Sequence, residues 1–478
     1  MTNPHFKDVT QEQNHTNPFA KLVPGQTIVE IPELLLECGE KLVQFPVAYK
    51  TWGKLNKDRD NVLLICHALT GSADVQDWWG PLLGTNKTFD PSRFFIICIN
   101  FLGSPYGSAS PVTIDKATGK PYGPAFPLVT VKDDLKVHRL ILDSLAVNSI
   151  ACVIGGSMGG MIALEYSATY RNDPYVKTVI ALATAARASA WCISWNETQR
   201  QCIFADPYYD DGYYYENKAD TKPDSGLSAA RMAALLTYRS RNSFETRFGR
   251  KLPQSNSSKQ VDSNNNDKNN NSMTVIYPKT KDEENWLLHN EGSRSSTNLK
   301  SQNSPTSPKS TKEKPQTYFT AQSYLRYQGN KFVNRFDANC YISITRKLDT
   351  HDITRGRVEE GVSEDPLPAF LNTLNQPHLI IGIESDGLFT FGEQSLLGAN
   401  IRGSILRKLN SPEGHDAFLL EFELINQWCH EFLQEKLPEF YDEKSGKFDL
   451  FLDWEKFVDN KDNGGNSVFG EVENITNW

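Results

Sequence analysis

The segment of residues 153–160, Val-Ile-Gly-Gly-Ser-Met-Gly-Gly, constrains the fold more than any other part of the chain. The apolar run Ile150–Ile154 predicts a buried strand, and the stretch from Met158 to Tyr170 is typical of a helix. Ser157 therefore lies in a Gly-x-Ser-x-Gly turn between strand and helix. Such a turn strains the serine backbone, requires small neighbours and lifts the hydroxyl clear of the sheet.

A dinucleotide-binding turn is also rich in glycine, but this segment does not fit one. The fingerprint Gly-x-Gly-x-x-Gly needs glycine at its third position, which Ser157 occupies. The next strand, Val179–Ala183, does not end in an acidic residue that could bind a ribose. Two interpretations remain for the turn alone: it presents a nucleophile, or it only packs a helix on a strand.

Apolar runs without polar alternation recur along the chain and predict parallel strands buried between helices. These runs are Asn61–Cys66, Phe94–Asn100, Ile150–Ile154, Val176–Ala183, His378–Glu384 and the shorter Ser404–Leu409. Thr27–Ile31 and Leu42–Thr51 predict antiparallel strands before them, and Val131–Leu145 and Ala417–Leu433 predict helices. The predicted fold class is α/β with a mostly parallel central sheet, in which active sites lie beyond the carboxyl ends of the strands.

The parallel pattern stops at about Arg187, and helical spacing replaces it in Trp195–Phe204, Leu227–Tyr238 and Tyr324–Leu348. We interpret residues 187–370 as an inserted helical lid between two parts of the core, residues 1–186 and 371–478. Within the lid, residues from about 254 to 316 are rich in asparagine, serine and lysine, which predicts disorder. That insert is either a tolerated loop expansion or a regulatory segment phosphorylated at Ser304 and Ser307, each of which precedes a proline.

Three residues on separate loops predict a catalytic triad. Serine catalysis needs a base within hydrogen-bonding distance and an anion that orients the base. In α/β-hydrolase folds the order along the chain is serine, acid, histidine, each after a strand. Ser157, Asp386 and His415 have that order and context. We therefore predict an α/β-hydrolase fold with an inserted helical lid.

Backbone N–H groups beside the serine are the expected oxyanion donors. Met158 follows the nucleophile at a helix N-terminus, and Leu69 lies in the loop after the Asn61–Cys66 strand. His67, in that same loop, is expected to belong to the oxyanion loop and not to act as the base. His138 lies on a predicted helix, at its surface or packed beneath it.

Several longer motifs resemble the homoserine O-acetyltransferase family, in family order and over residues from about 25 to 435. The motifs are His67-Ala68-Leu69-Thr70-Gly71, Asn100-Phe101-Leu102-Gly103-Ser104, Gly155-Gly156-Ser157-Met158-Gly159-Gly160, Thr237-Tyr238-Arg239-Ser240, Arg335-Phe336-Asp337-Ala338-Asn339 and Gly414-His415-Asp416-Ala417-Phe418. The asparagine-rich insert departs from the compact bacterial pattern and is similar to the fungal form.

The resemblance implies acetyl transfer from acetyl-CoA, as co-substrate, to the side-chain hydroxyl of L-homoserine, a step toward methionine, through an acetyl-serine. No further cofactor is implied. Arg200 matches the family arginine that meets the substrate carboxylate, and guanidinium geometry suits that role. Asp416 matches the acid that holds the ammonium, and Tyr214 corresponds to a pocket tyrosine. The resemblance also suggests a homodimer through the lid helices.

Other reactions remain open from the residues alone. The triad does not distinguish water from an alcohol as acyl acceptor, so a hydrolase is one alternative, although a lid and the Arg200 and Asp416 pair favour an amino acid. A succinyl-CoA donor, or serine or another hydroxyl compound as acceptor, is a second alternative. A catalytically inactive scaffold is a third, and the intact triad argues against it.

Composition excludes several other classes of protein. The net charge of −8 argues against a nucleic-acid partner. No run approaches the eighteen or so apolar residues of a membrane span, and the polar Met1–Asn17 segment contains no secretory signal. The eight cysteines form no C-x-x-C pair and no metal motif, so we expect no metal and a reducing, cytoplasmic environment.

Overall fold

The computed structural model describes residues 5–216, 221–251, 280–293, 319–359, 361 and 364–449. The strands found there form one sheet. They are β1 (Lys7–Asp8), β2 (Thr27–Leu35), β3 (Lys41–Trp52), β4 (Val62–Cys66), β5 (Phe95–Ile99), β6 (Ile150–Gly156), β7 (Val176–Leu182), β8 (His378–Ile383) and β9 (Ile405–Leu409). Their order across the sheet is β1-β2-β3-β5-β4-β6-β7-β8-β9.

The α-helices of the same described ranges cover the sheet and form the lid. They are α1 (Thr10–Thr16), α2 (Val75–Trp79), α3 (Val131–Ser144), α4 (Met158–Thr169), α5 (Ala190–Phe204), α6 (Asp224–Tyr238), α7 (Arg241–Arg247), α8 (Lys281–His289), α9 (Thr320–Val333), α10 (Ala338–Asp349), α11 (Leu367–Leu371), α12 (Phe391–Asn400) and α13 (Phe422–Lys436). The helices α5 to α11 lie between β7 and β8 in the chain, where the sequence predicts the lid.

The sheet is mostly parallel, as predicted. Strands β1, β2 and β3 pair antiparallel, β3 joins β5 antiparallel, and every pairing from β5 to β9 is parallel. Every residue of β4, β5, β6 and β8 is buried, because helices cover both faces of the sheet. Burial on both faces explains why the sequence of these strands is apolar without polar alternation. Ser157, Asp386 and His415 lie in the segments that follow the carboxyl ends of β6, β8 and β9. These ends lie on the same side of the parallel sheet.

Two predicted helices differ from the observed ones. The predicted helix Tyr324–Leu348 is two helices, α9 and α10, because Asp337 caps α10: its carboxylate accepts the Cys340 N–H at 3.0 Å. The predicted helix Ala417–Leu433 begins instead as a 3₁₀ helix, Gly414–Leu419, before α13. That tighter turn places the residues around His415 at the site.

Within the insert that the sequence predicts to be disordered, the structure describes only residues 280–293. Helix α8 forms there with a capping box between Thr280 and Glu283. Glu291 after it forms an ion pair with Arg326 of α9, with Nη2 2.9 Å from Oε2. Ser304 and Ser307 lie outside the described residues, as does most of the insert. Among the described helices, none has the length and apolar character needed to cross a membrane.

Candidate active site

The turn after β6 holds Ser157 in a strained conformation, with φ 58° and ψ −127°. Its glycines are required by close backbone contacts. A Cβ on Gly155 would lie 2.2 Å from the Gly159 carbonyl oxygen, and a Cβ on Gly159 would lie 2.0 Å from the Cys66 oxygen. The buried Thr184 hydroxyl donates to the Ser157 carbonyl at 2.7 Å and helps to fix the strained residue. The serine hydroxyl is thereby directed away from the sheet.

The structure brings Ser157, His415 and Asp386 together in a continuous hydrogen-bonded relay. His415 Nε2 lies 2.9 Å from Ser157 Oγ, and His415 Nδ1 lies 2.7 Å from Asp386 Oδ2. The other Asp386 oxygen accepts the N–H groups of Leu388 at 2.8 Å and Phe389 at 3.0 Å. Because a carboxylate only accepts, Nδ1 carries the proton and Nε2 faces the serine hydroxyl as an acceptor.

The surroundings of His415 make it a stronger base than ordinary histidine. Burial is the largest single effect and acts to lower the pKa of His415, but the charge and hydrogen bond of Asp386, together with the charges of Asp416 and Glu393, outweigh it. The pKa of His415 is therefore raised. His67 is the opposite case: burial lowers its pKa to about 3, and its ring contacts the Ala68 carbonyl and Asn100. His67 is thus a neutral part of the loop, as expected.

His138 has no role at this site. It lies on α3, fully buried, and burial lowers its pKa to about 3. Neither ring nitrogen hydrogen-bonds within the described part of the chain. Of the two predicted positions, at the surface of the helix or packed beneath it, the buried one is observed.

A cavity opens above the serine and contains several of the predicted residues. Its lining includes Leu69, Ser157, His415 and Asp416. Leu69 lies in the loop after β4, and Met158 follows Ser157 as the first residue of α4. A helix N-terminus is a favourable place for developing negative charge.

Arg200 is not among the residues that line this cavity. It lies on α5 next to Gln199, which lines the cavity, but its guanidinium turns to two acids. Its Nη2 lies 2.9 Å from Glu197 and 2.8 Å from Asp349. The pair with Glu197 lies within α5, and the pair with Asp349 joins α5 to the end of α10.

Tyr214 also lies away from the cavity lining. Its hydroxyl donates to Asp337 at 2.8 Å and accepts the Asn339 N–H at 3.0 Å, and the neighbouring Tyr215 hydroxyl donates to Asp337 at 2.7 Å. The pKa of Tyr214 is raised well above its ordinary value, by burial first and then by the charge of Asp337. These contacts hold the segment before α6 to the N-terminus of α10.

Three residues of α6, Arg231, Thr237 and Tyr238, line the cavity and were not predicted as site residues. Arg231 is 2% exposed. Its guanidinium lies 5.5 Å from the centre of the Tyr238 ring, seven residues and two helical turns further on. The motif Thr237-Tyr238-Arg239-Ser240 directs attention to the end of this helix, but it does not include Arg231. Arg231 gives the cavity a cation opposite in charge to Asp416.

The described residues contain no group of three or more His, Cys, Asp or Glu side chains that could hold a metal ion. The cysteines form no disulfide bonds in the described residues. All eight are described and unpaired, and the pKa of Cys66 is raised by burial well above the range in which it would ionise near neutral pH. The nucleophile of the cavity is therefore a hydroxyl and not a thiolate.

The fold and the site define a serine-nucleophile enzyme of the α/β-hydrolase class. A family model described as the alpha/beta hydrolase fold matches residues 61–422. Homoserine O-acetyltransferases of Saccharomyces pastorianus, Saccharomyces cerevisiae and Schizosaccharomyces pombe are 54%, 52% and 46% identical to the chain, over 98%, 98% and 99% of it and 97%, 97% and 98% of their own lengths. The chain belongs to the homoserine O-acetyltransferase family, which confirms the predicted resemblance.

Solved structures agree with the fold. A homoserine O-acetyltransferase from Bacillus anthracis has a TM-score of 0.64 and 20% identity, and the match covers 85% of this chain and 97% of that one. Esterase E22 has a TM-score of 0.64 and 21% identity, over 85% of this chain and 99% of that one. At such identities the likeness concerns the fold alone. Both a transferase and an esterase share this architecture.

Proposed function

We propose that this enzyme transfers the acetyl group of acetyl-CoA to the side-chain hydroxyl of L-homoserine and releases O-acetyl-L-homoserine, a step toward methionine. The observation that carries the proposal is the Asp386–His415–Ser157 relay beneath a cavity that also contains a cation and an anion for an amino acid. Homoserine O-acetyltransferases at 46–54% identity over nearly the whole chain support the same reaction.

The first half-reaction acylates the serine. His415 Nε2, 2.9 Å from the hydroxyl, accepts its proton as Oγ attacks the thioester carbon. The carbonyl oxygen becomes an oxyanion, for which the N–H groups of Leu69 and Met158 are the proposed donors. The carbon–sulfur bond then breaks, the leaving thiolate takes the proton from His415, and free CoA departs from acetyl-Ser157.

The second half-reaction repeats the same steps with homoserine in place of the serine hydroxyl. His415 takes the proton of the substrate hydroxyl, whose oxygen attacks the acetyl carbon. The second oxyanion collapses, the bond from Ser157 Oγ to the carbonyl carbon breaks, and His415 returns the proton to Oγ. Asp386 stays ionised and stabilises the imidazolium in both halves.

Arg231 and Asp416 are the proposed contacts for the two charged ends of homoserine. Arg231 replaces Arg200 in this role, because Arg231 lines the cavity and Arg200 is bound to acids elsewhere. A guanidinium binds a carboxylate through two parallel hydrogen bonds. With the ammonium beside Asp416, the substrate hydroxyl would be directed toward acetyl-Ser157, which is catalysis by positioning.

The decisive experiment is mass spectrometry of the protein mixed with acetyl-CoA alone. We expect one added acetyl group on the peptide that contains Ser157, and its loss when homoserine is added. Ser157→Ala is the control and should remain unmodified while still folded. Modification with equal loss to water with or without homoserine would identify a hydrolase instead, and preferential loading from succinyl-CoA would identify a different donor.

The proposal extends to assembly and location. Trp191 of α5 and Leu236 of α6 are 55% and 52% exposed, which supports a homodimer through these lid helices. Sedimentation should give the mass of two chains, and a Trp191→Asp/Leu236→Asp variant should give one. Eight unpaired cysteines support a cytoplasmic, reducing compartment. Fractionation that finds the protein in an oxidising compartment would contradict this location.

A further inference from the structure

Arg335 lies at the corner between α9 and α10 and reaches from the lid to the loop that carries Leu69. Its side chain is buried, with 6% of the residue exposed. Its Nη1 donates to the carbonyl of Thr70 at 3.1 Å and to the hydroxyl of Tyr106 at 3.0 Å. The ring of Phe332 lies 4.9 Å from its guanidinium carbon. A cation of the lid therefore holds a backbone carbonyl next to the proposed oxyanion site.

The hydrogen bond to Thr70 sets the direction of the Leu69 N–H through two peptide planes. In a trans peptide the C=O and the following N–H lie in one plane and point in opposite directions. With the Thr70 carbonyl held by Arg335, the Gly71 N–H points the other way and donates to the Ala68 carbonyl at 3.0 Å. The Ala68 carbonyl shares its plane with the Leu69 N–H. The latter is thereby directed away from the loop interior.

The core holds this loop from the opposite side. The His67 ring contacts the Ala68 carbonyl at 2.9 Å through Nδ1, and its Nε2 lies 3.1 Å from Asn100. The ring of Phe101 is stacked on His67 with 3.6 Å between the centroids. A core residue, His67, thus contacts the carbonyl of Ala68, and a lid residue, Arg335, binds the carbonyl of Thr70. These two residues lie on either side of Leu69. Contacts from both the core and the lid therefore hold this loop.

We propose that Arg335 is a positioning residue that orients the Leu69 N–H as an oxyanion donor and makes the oxyanion hole depend on the seating of the lid. This inference rests on the proposed function, in which the same donor serves both half-reactions. Removing Arg335 slows acetylation and deacetylation of Ser157 by similar factors. It leaves the homoserine KM unchanged, because Arg335 acts through the carbonyl of Thr70 in the loop.

Rapid-quench measurement of acetyl-Ser157 formation and decay tests this in Arg335→Met and Arg335→Lys. Loss of one direct oxyanion donor costs roughly 10²–10³ in rate, so we expect roughly 10-fold or more in each half-reaction for the Met variant. Tyr106→Phe removes only the other acceptor of Nη1, and Arg326→Met removes a lid arginine paired with Glu291. Both controls should stay within about 2-fold of the wild type.

Two further readouts separate positioning from general destabilisation. A boronic acid that forms a tetrahedral adduct with Ser157 should bind Arg335→Met more weakly, in proportion to the lost rate. Added guanidinium should restore part of the activity to Arg335→Ala and leave the activity of Arg326→Met unchanged. If the Met variant folds poorly, the Lys variant, which retains charge and bulk, should still show the equal loss in both half-reactions.

The failures of the two proposals are distinguishable. A wild-type enzyme that never forms acetyl-Ser157 contradicts the proposed function. If the wild type forms acetyl-Ser157, and Arg335→Met and Arg335→Lys acetylate and deacetylate Ser157 as fast as the wild type does, the proposed role of Arg335 is overturned. A raised homoserine KM with unchanged acetylation also overturns it, since that pattern would place Arg335 in substrate binding.

Discussion

Arg239 of the lid and Asp416 beside the histidine form a buried ion pair, with 2.9 Å between Nε and Oδ2. The side chains are 2% and 4% exposed. The same guanidinium binds Glu413 at 2.7 Å through Nη1. Arg239 therefore holds the loop on both sides of His415. A substrate ammonium at Asp416 would share that carboxylate with Arg239.

Arg239→Met should destabilise the protein strongly. The substitution leaves Asp416 buried without its arginine, and breaking such a pair costs about 3–5 kcal/mol in the free energy of unfolding. Arg247→Met is the matched control, because Arg247 binds the same Glu413 from a position that is 21% exposed and should cost about 1 kcal/mol or less. Urea unfolding measures both. Equal losses of unfolding free energy in the two variants would show that the Arg239–Asp416 pair contributes no more to stability than the Arg247–Glu413 pair.

Arg231→Met should raise the KM for homoserine and leave acetyl loading unchanged. A hydrogen bond to a charged group contributes about 1.5–3 kcal/mol, which corresponds to roughly 10- to 150-fold in KM. Steady-state kinetics and rapid-quench acetylation measure the two quantities separately. Arg200→Met on the neighbouring helix is the control and should mainly affect stability. A larger KM change in Arg200→Met than in Arg231→Met would restore the role first predicted for Arg200.

These two arginines show what the sequence can and cannot predict. The triad was predictable because each member follows a strand, and strands of a parallel sheet end at one edge whatever the lid does. Arg200 and Arg231 both lie on lid helices, and which of them faces the cavity depends on how α5 and α6 pack on the core. That packing is non-local, because Arg200 of α5 forms its ion pair with Asp349 of α10, which is far away in the sequence. Periodicity within one helix does not contain this information.

The same limit applies to the surroundings of Tyr214 and to the missed break between α9 and α10. Both depend on Asp337, which caps α10 and accepts the hydroxyls of Tyr214 and Tyr215 from more than a hundred residues away. Apolar spacing continues across the break, so the sequence pattern favours one helix. The strands β4, β5, β6 and β8 differ in this respect, because burial on both faces marks each of these four locally.

Asp386→Asn should move the acid limb of the acetylation profile to lower pH and reduce the maximal rate. The base must be neutral, so the rate rises as pH increases through the pKa of His415, which the carboxylate raises. An amide removes that charge, lowers the pKa and no longer favours the productive tautomer, a change that costs about 10⁴ in comparable triads. Rates of Ser157 acetylation across pH 5–9 measure both effects. An unmoved acid limb would mean that Asp386 does not control His415.

Glu393→Gln should shift the same limb to lower pH by a smaller amount, without the large loss of rate. Burial, with a smaller contribution from the charge of Asp386, raises the pKa of Glu393 to about 7, and its anion in turn raises the pKa of His415. An amide of similar shape removes only that charge.

Stability provides a second readout for Glu393. A carboxyl group whose pKa is raised on folding stabilises the native state below its unfolded pKa, and this contribution is lost as pH rises through about 7. Wild type should therefore lose more Tm than Glu393→Gln between pH 5 and pH 8. Glu384→Gln is the control, because Glu384 is 56% exposed and pairs with Lys408 at the surface. If Glu393→Gln and Glu384→Gln leave the acid limb and the Tm difference equally unchanged, the Glu393 carboxylate does not act on the triad.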